Sequence, residues 1–352
     1  MKRLRIAQLV PFEETVPPTK YGGAELVASN LSDGLVKMGH NVTLYSVGGS
    51  HTKAKLVKIF PTALRAMHST DLKARESMKF MGVGKVLSLV GEGKFDIVHN
   101  HIGWRVLPFL HLIPAPVVTT LHGPLDIAYQ QFVYSHYKTA PYVSISNNQR
   151  KPMKLNFAAT VYNGIRVDKF TFKDKKQDYL AFLGRMSPEK GPVQAIQVAK
   201  KTKKKLIMAA KVDAVDIKFF ESQVKPHIDG KQIIFLGEVG HEGKNKLLKN
   251  AAGLLALIQW EEPFGLFMAE ANACGTPVIA MARGAAPEVV ADKKTGYLVH
   301  SVAEAVKMVP KLSLIKPRAC RERAQKHFSV EAMVNGYYNV YQKLIQNWPK
   351  QR

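Results

Sequence analysis

Short apolar runs alternate with amphipathic helical stretches along the whole chain. Between the first two runs, Ala24 to Met38 carries apolar residues at helical spacing and stops at Gly39, a common helix terminator. The strands predicted in the first half are Leu4 to Val10, Val42 to Val47, Ile97 to Asn100, Val117 to Leu121 and Tyr142 to Ser146. A repeated order of strand and then helix is typical of a parallel sheet covered by helices, so the sequence predicts an α/β fold.

A second series of the same kind follows the polar stretch Arg166 to Asp178. Its predicted strands are Tyr179 to Leu183, Leu206 to Ala209, Gln232 to Leu236, Gly253 to Ile258 and Pro277 to Ala280. The chain has 352 residues, which is too long for one ordinary core. We therefore expect two domains, residues 1–165 and 166–328, with a ligand-binding cleft between them, and a C-terminal helix in 329–352 that packs back on the first domain.

The composition is close to the average for soluble globular proteins. Apolar residues make up 46% of the chain and charged residues 22%, and no apolar run approaches the roughly 20 residues needed to cross a bilayer. The two cysteines, Cys274 and Cys320, cannot build a disulfide framework. Because the first residues also lack the pattern of a secretory signal, we expect a cytoplasmic location.

The strong positive charge predicts an affinity for anions. The chain has 51 Lys plus Arg against 27 Asp plus Glu, a net charge of +24. The excess is spread over both halves, so no nucleic-acid partner is expected. The densest run of basic residues is predicted to lie at a helix end, exposed to solvent. It consists of Lys200, Lys201, Lys203, Lys204 and Lys205. The segment Leu64 to Lys85 mixes basic and apolar residues, which suits either peripheral contact with an anionic membrane or an exposed acceptor-binding helix.

The segment Trp260 to Ala280 carries the most specific pattern. It reads as strand end, loop, helix, tight turn and strand, and Pro263 marks the turn before the helix. Backbone amides at a helix N-terminus bind phosphate without side-chain help, so a diphosphate fits this location. The amides predicted to lie there are those of Gly265, Leu266 and Phe267.

Two carboxylates flank this helix start. Glu262 precedes the turn, and Glu270 follows it after seven intervening residues, so the pair can reach one ligand from two different elements. Small and apolar residues surround Glu270, which favours a buried carboxylate with partners over a solvated one. No Asp-any-Asp triplet occurs in the sequence, and we predict a site that works without a metal ion or other cofactor.

This segment resembles the E-X7-E signature of the retaining glycosyltransferases of family 4, which have the GT-B fold of two doubly wound Rossmann-like domains facing each other across a cleft. Further motifs agree in order along the chain: Tyr21 to Glu25, Asp96 to His101, Thr120 to Gly123, Tyr162 to Ile165, Gly184 to Gly191, Gly284 to Glu288 and Thr295 to Tyr297. The resemblance covers essentially the whole chain. It departs at Asn272, where many relatives have Met, and at Phe267 and Met268, which replace smaller aliphatic residues.

The resemblance implies roles for individual residues. It assigns Glu270 to the ribose hydroxyls and Glu262 to the donor sugar, with Arg185 and Lys190 gripping the pyrophosphate. Fixed cations there would stabilise the negative charge that develops on the departing diphosphate, so these two residues and Glu262 are predicted to be catalytic. His122, the fourth predicted catalytic residue, is expected near the transferred sugar. The remaining predicted donor-binding residues are Gly22, Gly23 and Glu238.

The resulting prediction is a retaining transferase that moves a sugar from a nucleotide diphosphate, most simply a UDP-sugar, to an acceptor hydroxyl. The acceptor is a small molecule, a glycan or a lipid. His99 and His101 point to the same side of a strand end, where an acceptor-site or packing role is favoured over zinc binding, since no third ligand is evident. Alternative functions are a non-catalytic protein that binds sugar nucleotides or polyanions, and another GT-B enzyme such as a phosphorylase or an epimerase.

Overall fold

The computed structural model describes residues 2–19, 22–67 and 71–349. Its strands are β1 Arg5–Leu9, β2 Asn41–Val47, β3 Lys55–Phe60, β4 Ile97–Asn100, β5 Val117–Leu121, β6 Tyr142–Ser144, β7 Phe157–Thr160, β8 Tyr179–Arg185, β9 Lys205–Lys211, β10 Ile233–Phe235, β11 Gly253–Ala256, β12 Val278–Met281 and β13 Gly296–Val299. Its α-helices are α1 Gly23–Lys37, α2 Leu72–Glu92, α3 Ala128–His136, α4 Pro192–Thr202, α5 Ile217–Phe219, α6 His241–Asn250, α7 Leu266–Ala273, α8 Ala286–Val289, α9 Val302–Met308, α10 Pro317–Phe328 and α11 Val330–Asn347.

The chain divides into two compact units. The first unit contains the described residues up to Gly164 together with those from Val330 onward. Its seven described strands form one parallel sheet in the order β3-β2-β1-β4-β5-β6-β7. The strand order reverses between β1 and β4, and in doubly wound sheets the carboxyl ends at such a switch point are where ligands bind.

The C-terminal helix α11 packs closely against the rest of the first unit. A methyl group added to Gly34 of α1 would lie 2.5 Å from Cγ2 of Val334, so only a residue without a side chain allows this helix crossing. Tyr337 and Tyr341 of α11 are fully buried. This helix therefore forms part of the core of the first unit.

The second unit spans Ile165 to Ser329 and repeats the same architecture. Its six strands form a parallel sheet in the order β10-β9-β8-β11-β12-β13, with the switch point between β8 and β11. The core packs apolar side chains of the sheet, such as Phe182 and Met208, against helix residues such as Ile196. A ligand is thus expected at the carboxyl ends of the two central strands.

The ten strands predicted from apolar runs are confirmed, with ends that differ by a few residues. Three strands were not predicted: β3, β7 and β13. The strand β3 carries Lys55 and Lys58, which obscured its period. Gly39 adopts a φ of +93° just after α1, which confirms the predicted helix end.

Candidate active site

The carboxyl ends of β8 and β11 lie side by side at the switch point of the second sheet. Leu180 of β8 pairs with Gly253 of β11, so the loops that follow these strands leave the sheet at the same edge. Three of the predicted catalytic residues lie there: Arg185 at the end of β8, and Lys190 and Glu262 in the segments that follow β8 and β11. The fold of the second unit alone therefore brings a predicted sugar contact and two predicted phosphate contacts to one sheet edge.

Arg185 is the last residue of β8, and carboxylates surround its guanidinium group. It forms an ion pair with Glu189, and its Nε lies 3.3 Å from Oδ2 of Asp216, which follows β9. Burial raises the pKa of Asp216 above its usual value, although the charge of Arg185 acts to lower it. A bound diphosphate would compete with these carboxylates for Arg185.

Lys190 and Trp260 anchor one oxygen of Glu262. The Lys190 ammonium forms an ion pair with Oε2 of Glu262, and the indole Nε1 of Trp260 donates a hydrogen bond to the same oxygen at 2.9 Å. The Lys190 ammonium also lies 5.2 Å from the centroid of the Trp260 ring, within the range of a cation–π contact. The other oxygen, Oε1, makes no hydrogen bond within the described part of the chain and is the one left open to a ligand.

Backbone contacts fix the position of Glu262. The carbonyl of Glu262 accepts a hydrogen bond from the amide of Ala285 at 2.9 Å, and Oε2 of Glu261 accepts one from Gly284 at 2.9 Å. A Cβ atom on Gly284 would lie only 2.4 Å from the Glu262 nitrogen. The loop after β12 therefore packs directly onto the backbone of Glu262, and a side chain at position 284 would collide with that backbone.

The N-terminus of α7 has the geometry predicted for phosphate binding. Gly265 is its N-cap in the left-handed region, with a φ of +81°. The amides of Leu266 and Phe267 have no hydrogen-bond acceptor among the described residues. At the other end of the helix, Arg321 donates to the Ala273 carbonyl at 2.5 Å, which places a cation where the helix dipole favours one. The free amides are thus oriented for an anion at the same sheet edge as Lys190.

Glu270 has a partner that sequence reasoning missed. Its side chain is almost fully buried inside α7 and forms an ion pair with Lys244 of α6. The prediction that Glu270 is a buried carboxylate with a partner is therefore confirmed. Nothing in the local pattern around Lys244, in the polar run His241 to Asn250, distinguishes this lysine from the others on the same helix.

Glu238, a predicted donor-binding residue, lies farther from the switch point than Arg185 and Glu262. It follows β10, at the same edge of the sheet but two strands away from β8. Within the described residues, no group of three or more His, Cys, Asp or Glu side chains is arranged to hold a metal ion.

In the first unit, His122 follows β5 and contacts a second histidine. Its Nε2 lies 2.8 Å from Nδ1 of His101, which follows β4. Burial lowers the pKa of His122 to about 4, and burial together with the neighbouring histidines lowers that of His101 well below its usual value. His99 pairs with Thr120 and Tyr341, so the two histidines that the sequence places on one side serve as packed hydrogen-bonding groups.

Gly22 and Gly23 lie at the start of α1, on the same unit. Gly22 is the N-cap and Gly23 the first helical residue, whereas Tyr21 of the same motif lies outside the described residues. Glu25, two residues into the helix, is only 6% exposed. Burial, reinforced by the charge of Glu14, raises the pKa of Glu25 to about 7.

Two family profiles match the chain, and together they cover most of it. The profile of Glycosyltransferase Family 4 matches residues 21–168, and the profile of Glycosyl transferases group 1 matches residues 166–327. The chain belongs to the family 4 glycosyltransferases. The family and the enzyme class predicted from the sequence are therefore confirmed.

Known glycosyltransferases resemble this one over nearly its full length. The phosphatidyl-myo-inositol mannosyltransferase of Mycobacterium tuberculosis is 24% identical over 84% of this chain and 82% of its own length. The sucrose-phosphate synthase of Thermosynechococcus elongatus superposes with a TM-score of 0.82 at 18% identity, covering 98% of this chain and 100% of the other. The Anabaena protein HepE, solved with UDP and glucose, superposes with a TM-score of 0.74 at 15% identity, covering 97% and 100%. These structures confirm the predicted GT-B fold with its two Rossmann-like domains.

Proposed function

We propose that this glycosyltransferase transfers a sugar from a nucleotide diphosphate to an acceptor hydroxyl, with retention of the anomeric configuration. One observation carries the proposal. Glu262, Lys190 and the free amides that begin α7 meet at one sheet edge, and each has the chemistry that a different part of a nucleotide sugar requires. A carboxylate accepts sugar hydroxyls, while a cation and a helix N-terminus bind phosphate.

The donor would rearrange the ion pairs of the site. Lys190 neutralises Glu262 in this structure, and a diphosphate that takes over Lys190 releases the carboxylate to accept a hydrogen bond from the sugar. In the same way, Lys244 keeps the buried Glu270 paired until ribose hydroxyls reach it. Each acidic residue of the E-X7-E motif thus has a lysine partner within the second unit.

The bond changes follow from this arrangement. The bond between sugar C1 and the diphosphate oxygen breaks, and a new bond forms between C1 and the acceptor oxygen. The acceptor proton passes to the departing diphosphate, so no protein base is assigned. Arg185, Lys190 and the α7 amides stabilise the charge on the leaving diphosphate, and this is the largest contribution that fixed groups make to such reactions.

The donor proposed is a UDP-sugar, and the chemistry is proposed to need no metal. The related Anabaena protein was solved with UDP and glucose, which supports the choice of nucleotide. Two cations and a helix end supply the positive potential that a divalent ion supplies elsewhere. Transfer that persists in excess EDTA would support this, and activity that requires added magnesium or manganese would contradict it.

The acceptor is proposed to be a small-molecule, glycan or lipid hydroxyl, reached by a cytoplasmic enzyme that contacts an anionic membrane peripherally. Among the described helices, none is long and apolar enough to cross a bilayer. On α2, Phe80 is 43% exposed and Met81 is 69% exposed, and the helix also carries Lys73, Arg75, Lys79 and Lys85. Exposed apolar side chains beside cations are typical of interfacial helices.

Flotation with phosphatidylglycerol vesicles tests the membrane contact. Met81→Gln is expected to reduce the bound fraction, whereas Leu314→Gln, which changes a similarly exposed apolar residue of the second unit, is expected to leave it unchanged. Equal binding by both variants and by the original chain would contradict a role for α2.

The decisive test of the function is a transfer assay. Sugar nucleotides are first ranked by the rise in melting temperature that they cause, and release of the nucleoside diphosphate is then measured with acceptor mixtures. Glu262→Gln is expected to lose transfer, and Glu221→Gln, an exposed carboxylate of the same unit, is expected to retain it. NMR of the product gives the anomeric configuration. Binding of donor without any turnover would favour the non-catalytic alternative, and phosphate-dependent glycan cleavage would favour a phosphorylase.

A further inference from the structure

A continuous chain of hydrogen bonds joins seven polar side chains inside the first unit. It connects the C-terminal helix α11 with β1 and with the ends of β4 and β5. In order, its members are Tyr337, Thr120, His99, Tyr341, Gln8, His101 and His122. The first six are buried and only His122, at the end, is partly exposed. A fully satisfied buried network of this length fixes the orientation of each member.

Gln8 sets the direction of proton donation along this chain. Its Nε2 donates to the hydroxyl of Tyr341 at 3.1 Å, and its Oε1 lies 2.8 Å from Nε2 of His101. An amide oxygen only accepts hydrogen bonds, so His101 carries its proton on Nε2. A neutral imidazole has one such proton, which makes Nδ1 of His101 an acceptor.

The tautomer of His101 in turn determines the tautomer of His122. Its Nε2 lies 2.8 Å from Nδ1 of His101 and must donate to it, so His122 also carries its proton on Nε2. Burial keeps all three rings neutral near pH 7, because it lowers the pKa of His122 to about 4 and those of His99 and His101 well below the usual value. Nδ1 of His122 is then an unprotonated acceptor, and it has no partner among the described residues.

The hydrogen bonds on the other side of Gln8, through Tyr341 and His99 to Thr120, are consistent with this direction of donation. The hydroxyl of Tyr341 accepts from Gln8, so its own proton is donated to Nδ1 of His99 at 2.6 Å. His99 then carries its proton on Nε2 and donates to Thr120 at 2.7 Å. Helix α11 therefore holds the Gln8 amide in the orientation on which the His122 tautomer depends.

We propose that Gln8 and His101 are positioning residues that hold His122 as the Nε2–H tautomer, so that its Nδ1 accepts a hydrogen bond from a substrate hydroxyl. This inference rests on the proposed function and specifies the chemistry of the His122 edge. It makes His122 an acceptor, not a donor or a general acid, and it requires a hydroxyl at the matching position of the substrate. A substrate with an ether in place of that hydroxyl cannot make the contact.

Nitrogen NMR of the full chain labelled with 15N-histidine tests the tautomer directly. Protonated and unprotonated ring nitrogens have well-separated shifts, and His122→Gln identifies the His122 signals by their disappearance. The expected spectrum shows His122 protonated on Nε2 and unprotonated on Nδ1. The opposite tautomer, or a doubly protonated ring at pH 7, would overturn the proposal.

Gln8→Met tests the origin of the tautomer. It leaves Nε2–H of His101 without an acceptor, which is costly in a buried site, so His101 is expected to move its proton to Nδ1 and reverse the direction of donation. His122 should then show a substantial Nδ1–H population, and kcat/KM with UDP-glucose, or with whichever sugar nucleotide is turned over, should fall about tenfold. Tyr338→Phe is the control. It removes a hydroxyl of α11 that takes no part in this series of hydrogen bonds, and it is expected to change neither the tautomer nor kcat/KM.

The two readouts separate this inference from the proposed function. If Gln8→Met leaves His122 as the Nε2–H tautomer, the positioning role is wrong even when activity falls. If the tautomer shifts and kcat/KM stays unchanged in an active enzyme, the substrate contact is wrong. If the original chain transfers no sugar from any nucleotide, the proposed function fails, while the NMR result still decides the tautomer.

Discussion

Replacing Gly284 by alanine should disable the active site through one added methyl group. The residue has a φ of +59°, and its new Cβ would lie 2.4 Å from the nitrogen and 2.6 Å from the carbonyl oxygen of Glu262. Ordinary contacts begin near 3.4 Å, so the backbone of Glu262 must shift by about 1 Å. A displacement of that size in a positioned group costs about 100-fold in rate, so we expect kcat/KM to fall by about that factor.

The matched control separates displacement of Glu262 from backbone strain. Gly230 of the same unit also has a positive φ, +70°, but its Cβ would meet open space, and it precedes β10 at the opposite edge of the sheet. Gly230→Ala is expected to lose about 1–2 kcal/mol of stability from the left-handed conformation and to keep its activity. Steady-state transfer kinetics and denaturant unfolding are measured on both variants. If Gly284→Ala were as active as Gly230→Ala, the idea that this loop positions Glu262 would be refuted.

Three further substitutions test other parts of the account. Trp260→Phe keeps a ring beside Lys190 but removes the hydrogen bond to Glu262, so kcat/KM should fall about 10- to 100-fold at an unchanged melting temperature; an unchanged rate would contradict the anchoring role. Glu25 has a pKa of about 7 in the folded chain against 4.5 when unfolded, so its ionisation lowers stability as pH rises from 4.5 to 7 and the loss is complete above 7. Glu25→Gln should therefore stabilise the chain by up to about 3 kcal/mol at pH 8 and not at pH 4 in urea unfolding, and an equal effect at both pH values would exclude this cause. Asn272 is fully buried and neither of its amide atoms has a partner among the described residues, so Asn272→Leu should raise the free energy of unfolding by about 1–3 kcal/mol, and a loss of stability would show that the amide is satisfied.

The local part of the candidate site could be predicted from the sequence. Pro263 and Gly265 mark the turn before α7, and the structure starts the helix at Leu266, because turn and cap preferences act within a few residues. The alternation of apolar runs and helices also predicted the parallel sheets, since burial of both faces of a strand is visible in its composition. The roles assigned to individual residues remain predictions.

The partners of these residues could not be predicted, because they come from distant parts of the chain. Lys244, for example, reaches Glu270 from another helix. Trp260 is the exception, since it stands two residues before Glu262, and the loop directs its indole nitrogen to the carboxylate. The link from His122 through His101 to Gln8 joins three strands of one sheet. Periodicity predicts which face of an element is buried, but it does not predict which polar group another element places there.

The most direct test of the account is a crystal structure of the chain with bound UDP-glucose or another sugar nucleotide that it turns over. The account predicts that the diphosphate accepts hydrogen bonds from the amides that begin α7 and forms ion pairs with Arg185 and Lys190, and that Glu262 exchanges Lys190 for a sugar hydroxyl. A donor bound with its phosphates away from these groups, while Lys190 stays paired with Glu262, would contradict it.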